Sequence, residues 1–130
     1  MQSNLKMHVT VLGTMLITFL VLAPVQAQSY KNGTDAARAG DYDAAVMHWK
    51  PLADKGDAMA QFNLALMYHR GLGVKINEAK AVELYKKSAA NGYPQAQEYL
   101  AAAYSEGWFG LPRDPKKAAY WLSKLNANSK

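Results

Sequence analysis

With 130 residues, a formal net charge of +5 and only 19% charged side chains, the chain is sized for one small domain and lacks the composition of a disordered one. It contains no cysteine, so neither disulfide staples nor a lipoprotein anchor is available to it. Whatever holds the fold together must be side-chain packing.

The first 27 residues read as an export signal. Met1 to His8 is polar with one firm positive charge, Lys6, and Val9 to Leu22 is an apolar run. Fourteen residues at a helical rise reach about 21 Å, short of the ~30 Å hydrocarbon core. Pro24 then breaks the run, and the short side chains of Val25 and Ala27 suit the recognition pockets of a signal peptidase. Cleavage is expected before Gln28. The expectation is therefore a periplasmic or secreted protein with no stable membrane insertion after cleavage. Residues 28–130 carry 14 basic and 10 acidic side chains, a modest excess that favours anionic envelope polymers. Nucleic acid is not an expected partner in that compartment.

From Gln28 onward the punctuation marks paired helices. Gly33 to Ala39 looks like the end of a first helix, broken at Gly40-Asp41. Asp41 can cap a second helix from Tyr42 to about Lys55, closed by Gly56. Asp57 caps a third, to about His69, and Gly71-Leu72-Gly73 forms a tight turn. Asn77 caps a fourth that ends at Asn91-Gly92. Pro94 opens a fifth, to about Glu106, and Asp114-Pro115 opens a sixth toward Asn126. No segment alternates with period two, so the chain is all-α.

The helices repeat. Ala60-Gln61 returns as Ala96-Gln97, Leu64-Ala65 as Leu100-Ala101, Tyr68 as Tyr104 and Gly71 as Gly107, each 36 residues on. Ala45-Val46, Lys50, Ala53 and Gly56 return at the same interval as Ala81-Val82, Lys86, Ala89 and Gly92. A fixed period of this size is the signature of a solenoid, in which each unit buries its apolar face on the next. Ala60, Leu64, Met67 and Tyr68 form one such face, and Ala81, Leu84, Tyr85 and Ala89 another. Their small residues allow helix axes to approach to ~8–10 Å. Tyr68 and Tyr104 read as wedges between helices.

The run Ala60-Gln61-x-x-Leu64-Ala65-x-Met67-Tyr68-x-x-Gly71-x-Gly73-Val74, followed by Ala79-x-Ala81-x-x-x-Tyr85-x-Lys87-x-Ala89-x-x-Gly92, resembles the Sel-one-like repeat, a variant of the tetratricopeptide hairpin. A second copy runs from Ala96-Gln97 through Lys124, with one extra residue in Gly107-Trp108-Phe109-Gly110-Leu111. Upstream, Gly33, Ala36, Gly40-Asp41-Tyr42 and Ala45 resemble a tetratricopeptide half-motif, closed by Trp49 to Ala53. The resemblance implies a right-handed α-α superhelix of about two and a half hairpins: 28–56, 57–92 and 93–128. It also implies a scaffold that binds proteins, with no shared catalytic residues.

The residues themselves offer little chemistry. His48 and His69 lack carboxylates at a metal-ligand spacing. Gly71 and Gly73 follow a helix and lack the Gly-Lys-Ser/Thr of a phosphate loop, and no Gly-x-Ser-x-Gly occurs. No catalytic residue, metal or cofactor is expected. If Leu64, Ala65 and Tyr68 face the second helix, the offset residues Met59, Phe62, Leu66, His69 and Arg70 face the concave groove. Their equivalents one repeat later begin with Gln95 and Glu98. The groove would then run from an apolar, basic-rimmed part to a polar, acidic one. Phe62 and Leu66 have the alternative of packing on the preceding hairpin. Trp108 and Phe109 either fold back onto the last hairpin or form a knob for a partner. Tyr120, Trp121, Leu122 and Leu125 spread over more than one face of the last helix, which suits contact with another protein or weak self-association. The expected function is an exported adaptor binding a periplasmic protein or the outer domain of a membrane protein. Two alternatives remain: a soluble binder of cell-wall glycan, and an accessory subunit of an envelope enzyme.

Overall fold

The computed structural model of the protein describes residues 24–128, so the run Val9 to Leu22 lies outside the described residues. Six helices follow one another: α1 over 24–38, α2 Tyr42–Asp54, α3 Ala58–Arg70, α4 Glu78–Ala90, α5 Pro94–Glu106 and α6 Pro115–Asn128. They pack as three antiparallel hairpins stacked in chain order, with no strand among the described residues. Both helices of the first hairpin are present, where the sequence pattern marks only the end of the first one, over 33–39.

Four of the helices, α2, α3, α4 and α6, start where a short polar side chain takes up an orphaned amide. Asp41 accepts from the Ala44 amide at 3.0 Å, Asp57 from Ala60 at 2.7 Å and Asn77 from Lys80 at 2.9 Å. Asp114 does the same for Lys117 at 3.1 Å. Such a cap contributes about 1 kcal/mol to helix stability. α5 has no side-chain cap and opens instead on Pro94, whose missing N–H leaves one donor fewer to satisfy.

The loops after α3 and α5 are built on one plan. Gly71 and Gly107 take the left-handed conformation, and the next amides, Leu72 and Trp108, donate to the Met67 and Ala103 carbonyls at 3.0 Å each. Both loops then return to the same tyrosine. The Asn77 amide donates to the Tyr68 carbonyl at 2.9 Å, and the Asp114 amide to the Tyr104 carbonyl at 2.8 Å. The extra residue of the second loop is thus absorbed between two fixed anchor points.

One core runs through all three hairpins. It contains Ala45, Trp49, Leu52, Ala60, Leu64, Ala65, Leu84, Tyr85, Ala96 and Leu100, all buried. Each large aliphatic member contributes ~1.5–3 kcal/mol by leaving water. At Gly33 α1 lies directly against the Trp49 ring of α2. A Cβ there would stand 2.5 Å from the Trp49 indole nitrogen, so only glycine lets the helices meet over that ring. Two glutamines at the repeat interval tie the hairpins together. Gln61 donates to the Ala53 carbonyl and Gln97 to the Ala89 carbonyl, both at 3.0 Å, satisfying carbonyls in the last turns of α2 and α4.

Candidate interaction surface

α1, α3 and α5 are the first helices of their hairpins and form one wall. On α3, residues Met59, Phe62, Leu66, His69 and Arg70 are spaced by steps of three, four and one, so they share a face. The structure divides them. Met59 and Arg70 are exposed, whereas Phe62, Leu66 and His69 are half-buried. The ring of Phe62 lies 5.5 Å from Tyr85 in its own hairpin. In the following hairpin it lies 5.2 Å from Tyr93 and 6.4 Å from Tyr99. Its ring partners therefore lie in its own and the next unit.

The two residues of the lengthened loop part company. Phe109 folds back: it stacks on Tyr99 at 5.3 Å and meets the edge of His69 at 4.5 Å. Trp108 stays 46% exposed, edge-on to Phe109. Phe109 adopts φ 57°, a left-handed conformation that a bulky side chain rarely takes. His69 Nδ1 shares a 3.1 Å hydrogen bond with the Tyr99 hydroxyl, which fixes the ring beneath Phe109. Burial raises the phenols of Tyr85, Tyr93 and Tyr99 above the ordinary tyrosine range. These three tyrosines are therefore uncharged at neutral pH.

Around these rings are the exposed groups. Met59 and Arg70 stand at the two ends of α3, and Trp108 lies 6.2 Å from the Phe109 ring. On α5, Gln95, Glu98 and Glu106 are exposed, with Glu106 paired to Arg113 at 3.6 Å. The wall thus passes from apolar and basic on α3 to polar and acidic on α5. Tyr93 and Tyr99 escape the sequence reading because Tyr99 sits one position off the inferred stripe and Tyr93 lies in a turn. The density of tyrosines between 85 and 104 was the available signal.

Among the described residues no group of three or more His, Asp or Glu side chains is placed to hold a metal ion. His69 is engaged with Tyr99 and Phe109, and His48 is half-buried on α2. What the wall offers is a preformed aromatic floor with a few charged and apolar groups on its rim.

Comparison with known proteins agrees with this geometry. The profile of the Sel1 repeat matches residues 22–57, 58–93 and 94–128. The chain is 40% identical over 65 residues to the DAP3-binding cell death enhancer 1 of Rattus norvegicus, covering 50% of this chain and 13% of that protein. It is 29% identical over 75 residues to chitin synthase regulatory factor 2 of Schizosaccharomyces pombe, covering 58% of this chain and 15% of that one. It therefore spans only a small fraction of the length of these relatives. Among solved structures it is similar to a protective antigen present in uropathogenic Escherichia coli strains that displays an SLR fold. That match has a TM-score of 0.70 and 33% identity, over 81% of this chain and 23% of the other. With three matched repeats across most of its length, the chain belongs to the Sel1 repeat family, whose members generally mediate protein–protein interactions on a typically non-catalytic scaffold.

Proposed function

We propose that the chain is an exported adaptor of the bacterial cell envelope that holds a segment of a periplasmic protein, or of the outer domain of a membrane protein, against the α3/α5 wall. The observation that carries this reading is the uncharged floor of Phe62, Tyr99 and Phe109 ringed by exposed Met59, Arg70 and Trp108. A rigid aromatic floor with an Arg and a Trp at its rim is the composition in which binding energy concentrates. The role is regulatory: the Schizosaccharomyces pombe relative is named a regulatory factor, and a scaffold of this kind acts through what it holds. Export rests on the apolar run and the small residues before Gln28. It is also consistent with the exposure of every residue from 24 to 28, so that cleavage takes no side chain from the core.

The test is site-specific photocrosslinking in cells that make the protein, with the probe placed in turn at 59, 70 and 108, and at Arg38 on α1 as a control. One partner captured from the first three positions and not from 38 is the expected outcome. In the purified complex Arg70→Ala and Trp108→Ala should each weaken binding by ~2 kcal/mol, roughly thirtyfold, with unchanged circular dichroism. Equal capture from position 38, or retention on purified wall sacculi with no protein captured, overturns the reading.

A further inference from the structure

The aromatic surface of the wall is built from two kinds of part. Phe62, Tyr85 and Tyr99 are carried by helices, so the packing of the hairpins fixes their places. Phe109 comes from the loop between α5 and α6, which is one residue longer than its counterpart between α3 and α4. The shorter loop sends Leu72 and Val74 against the common core. The longer one lays the Phe109 ring on His69 and Tyr99, which are themselves only half-buried.

Three features mark that ring as seated rather than built in. Phe109 takes φ 57° between Gly107 at 75° and Gly110 at 69°. A residue with a Cβ pays for left-handed backbone, which disfavours the seated loop by roughly tenfold, whereas the flanking glycines serve as pivots at no such cost. The loop is tied at its ends, by the Trp108 amide to the Ala103 carbonyl and the Asp114 amide to the Tyr104 carbonyl. At its tip the amides of Phe109 and Gly110 bond nothing among the described residues. Finally, Trp108 and Gly110 on either side are exposed. Lifting residue 109 therefore costs its ring contacts and relieves its backbone.

The present occupant shows what the vacated slot would take. The Phe109 ring lies nearly parallel to Tyr99, at 19°, and edge-on to His69, at 83°, with Tyr85 further back at 6.5 Å. Stacked and T-shaped pairings are the ones aromatic rings favour, and an aliphatic side chain makes neither. The hydrogen bond between His69 and the Tyr99 hydroxyl joins the two walls independently of the loop.

We propose that this slot is a subsite for an aromatic side chain of the partner, kept filled by Phe109 until the partner's ring takes its place. The inference rests on the α3/α5 wall being the binding face. Both rim residues adjoin the slot through the chain, since Arg70 follows His69 and Trp108 precedes Phe109. A segment whose ring enters the slot therefore meets them as well.

The measurement is an NMR titration of the purified full chain with N-acetyl-phenylalanine amide, with N-acetyl-leucine amide as the control. Phe109→Gly empties the slot. Folded by circular dichroism, it should bind the phenyl probe about tenfold tighter than the unaltered chain, with shifts centred on His69 and Tyr99. The leucine probe should bind it severalfold more weakly, and adding Tyr99→Ala should remove the gain. A second readout leaves the loop intact: with 4-fluorophenylalanine at position 109, the fluorine signal should move toward its unfolded-chain position as the phenyl probe is added. No saturable binding by folded Phe109→Gly, equal affinity for the two probes, or equal affinity in variant and unaltered chain overturns the subsite. So does a fluorine signal that stays fixed while His69 and Tyr99 respond. Photocrosslinking from 59, 70 and 108 decides the wall separately. A partner captured there without probe binding removes the slot and leaves the wall, whereas probe binding with nothing captured removes the wall reading and the partner's ring with it.

Discussion

Gln61 and Gln97 show how a polar residue comes to sit at a helix contact. Each is buried, one turn into its helix, and its amide reaches back to a carbonyl of the preceding hairpin. Gln61 also accepts from the Asn91 side chain at 3.0 Å, so it binds the end of α2 to the end of α4. The Ala53 carbonyl keeps the Gly56 amide and Asn91 keeps the Gly56 carbonyl, so losing Gln61 removes hydrogen bonds without orphaning their partners, at a net cost of about 0.5–1.5 kcal/mol. Gln61→Leu should therefore destabilise by that amount in urea unfolding despite its added apolar surface. A neutral or stabilising result would mean the tie contributes nothing. The recurrence of Ala-Gln is plain in the sequence, but its partner is not, because a repeat states that a residue matters without saying what it touches. Phe62 makes the same point. Its spacing on α3 suggests a free groove residue, and only the tyrosines of the next hairpin reveal that it is half covered. Truncating it would cost folding stability as well as surface, so it is a poor probe of binding, and exposed Arg70 and Trp108 are better ones.

At the scale of elements, capping residues made α2 to α6 legible to within a residue or two, since Asp41, Asp57, Asn77 and Asp114 each bond the amide expected of a cap. α1 was largely hidden. It lacks the Ala-Gln and Leu-Ala pairs of the later units, and its beginning lies under the expected export signal. Its turn to α2 is also shorter, so the helix runs four residues past the point where α3 stops in its own repeat. The inserted loop residue was visible as a break in the period, but not its consequence. Between Gly107 and Gly110 the loop holds Phe109 at positive φ and lowers it onto Tyr99 and His69. Two opposing effects are separable by mutation. Phe109→Ala loses the ring contacts and keeps the backbone strain, whereas Phe109→Gly loses the same contacts and relieves it. The alanine variant should be less stable than the glycine variant by about 1 kcal/mol in chemical denaturation. The reverse order would mean that residue 109 is not held in the left-handed region.

At the scale of the molecule, the three hairpins are equivalent units in unequal positions, and the ends reveal it. Where the middle unit places Phe62 and His69 toward its neighbour, the third unit has Glu98 and Ser105, both polar and exposed. In α6, Leu122 takes the place of buried Tyr85 yet is 47% exposed. The other end bears on export. Residues 24 to 28 are exposed, and burial against the second helix begins at Ser29 and Tyr30, whose ring lies 6.4 Å from Trp49. Removing residues 24–27 shortens α1 by one turn and leaves those contacts in place. A chain beginning at Gln28 should therefore match one beginning at Pro24 to within ~0.5 kcal/mol, the range of changes that touch no packed group. The mass of the exported protein should correspond to a start at Gln28. A membrane-held species retaining Met1 to Ala27 would refute processing, and a large stability loss on trimming to Gln28 would show that the first turn of α1 belongs to the folded domain.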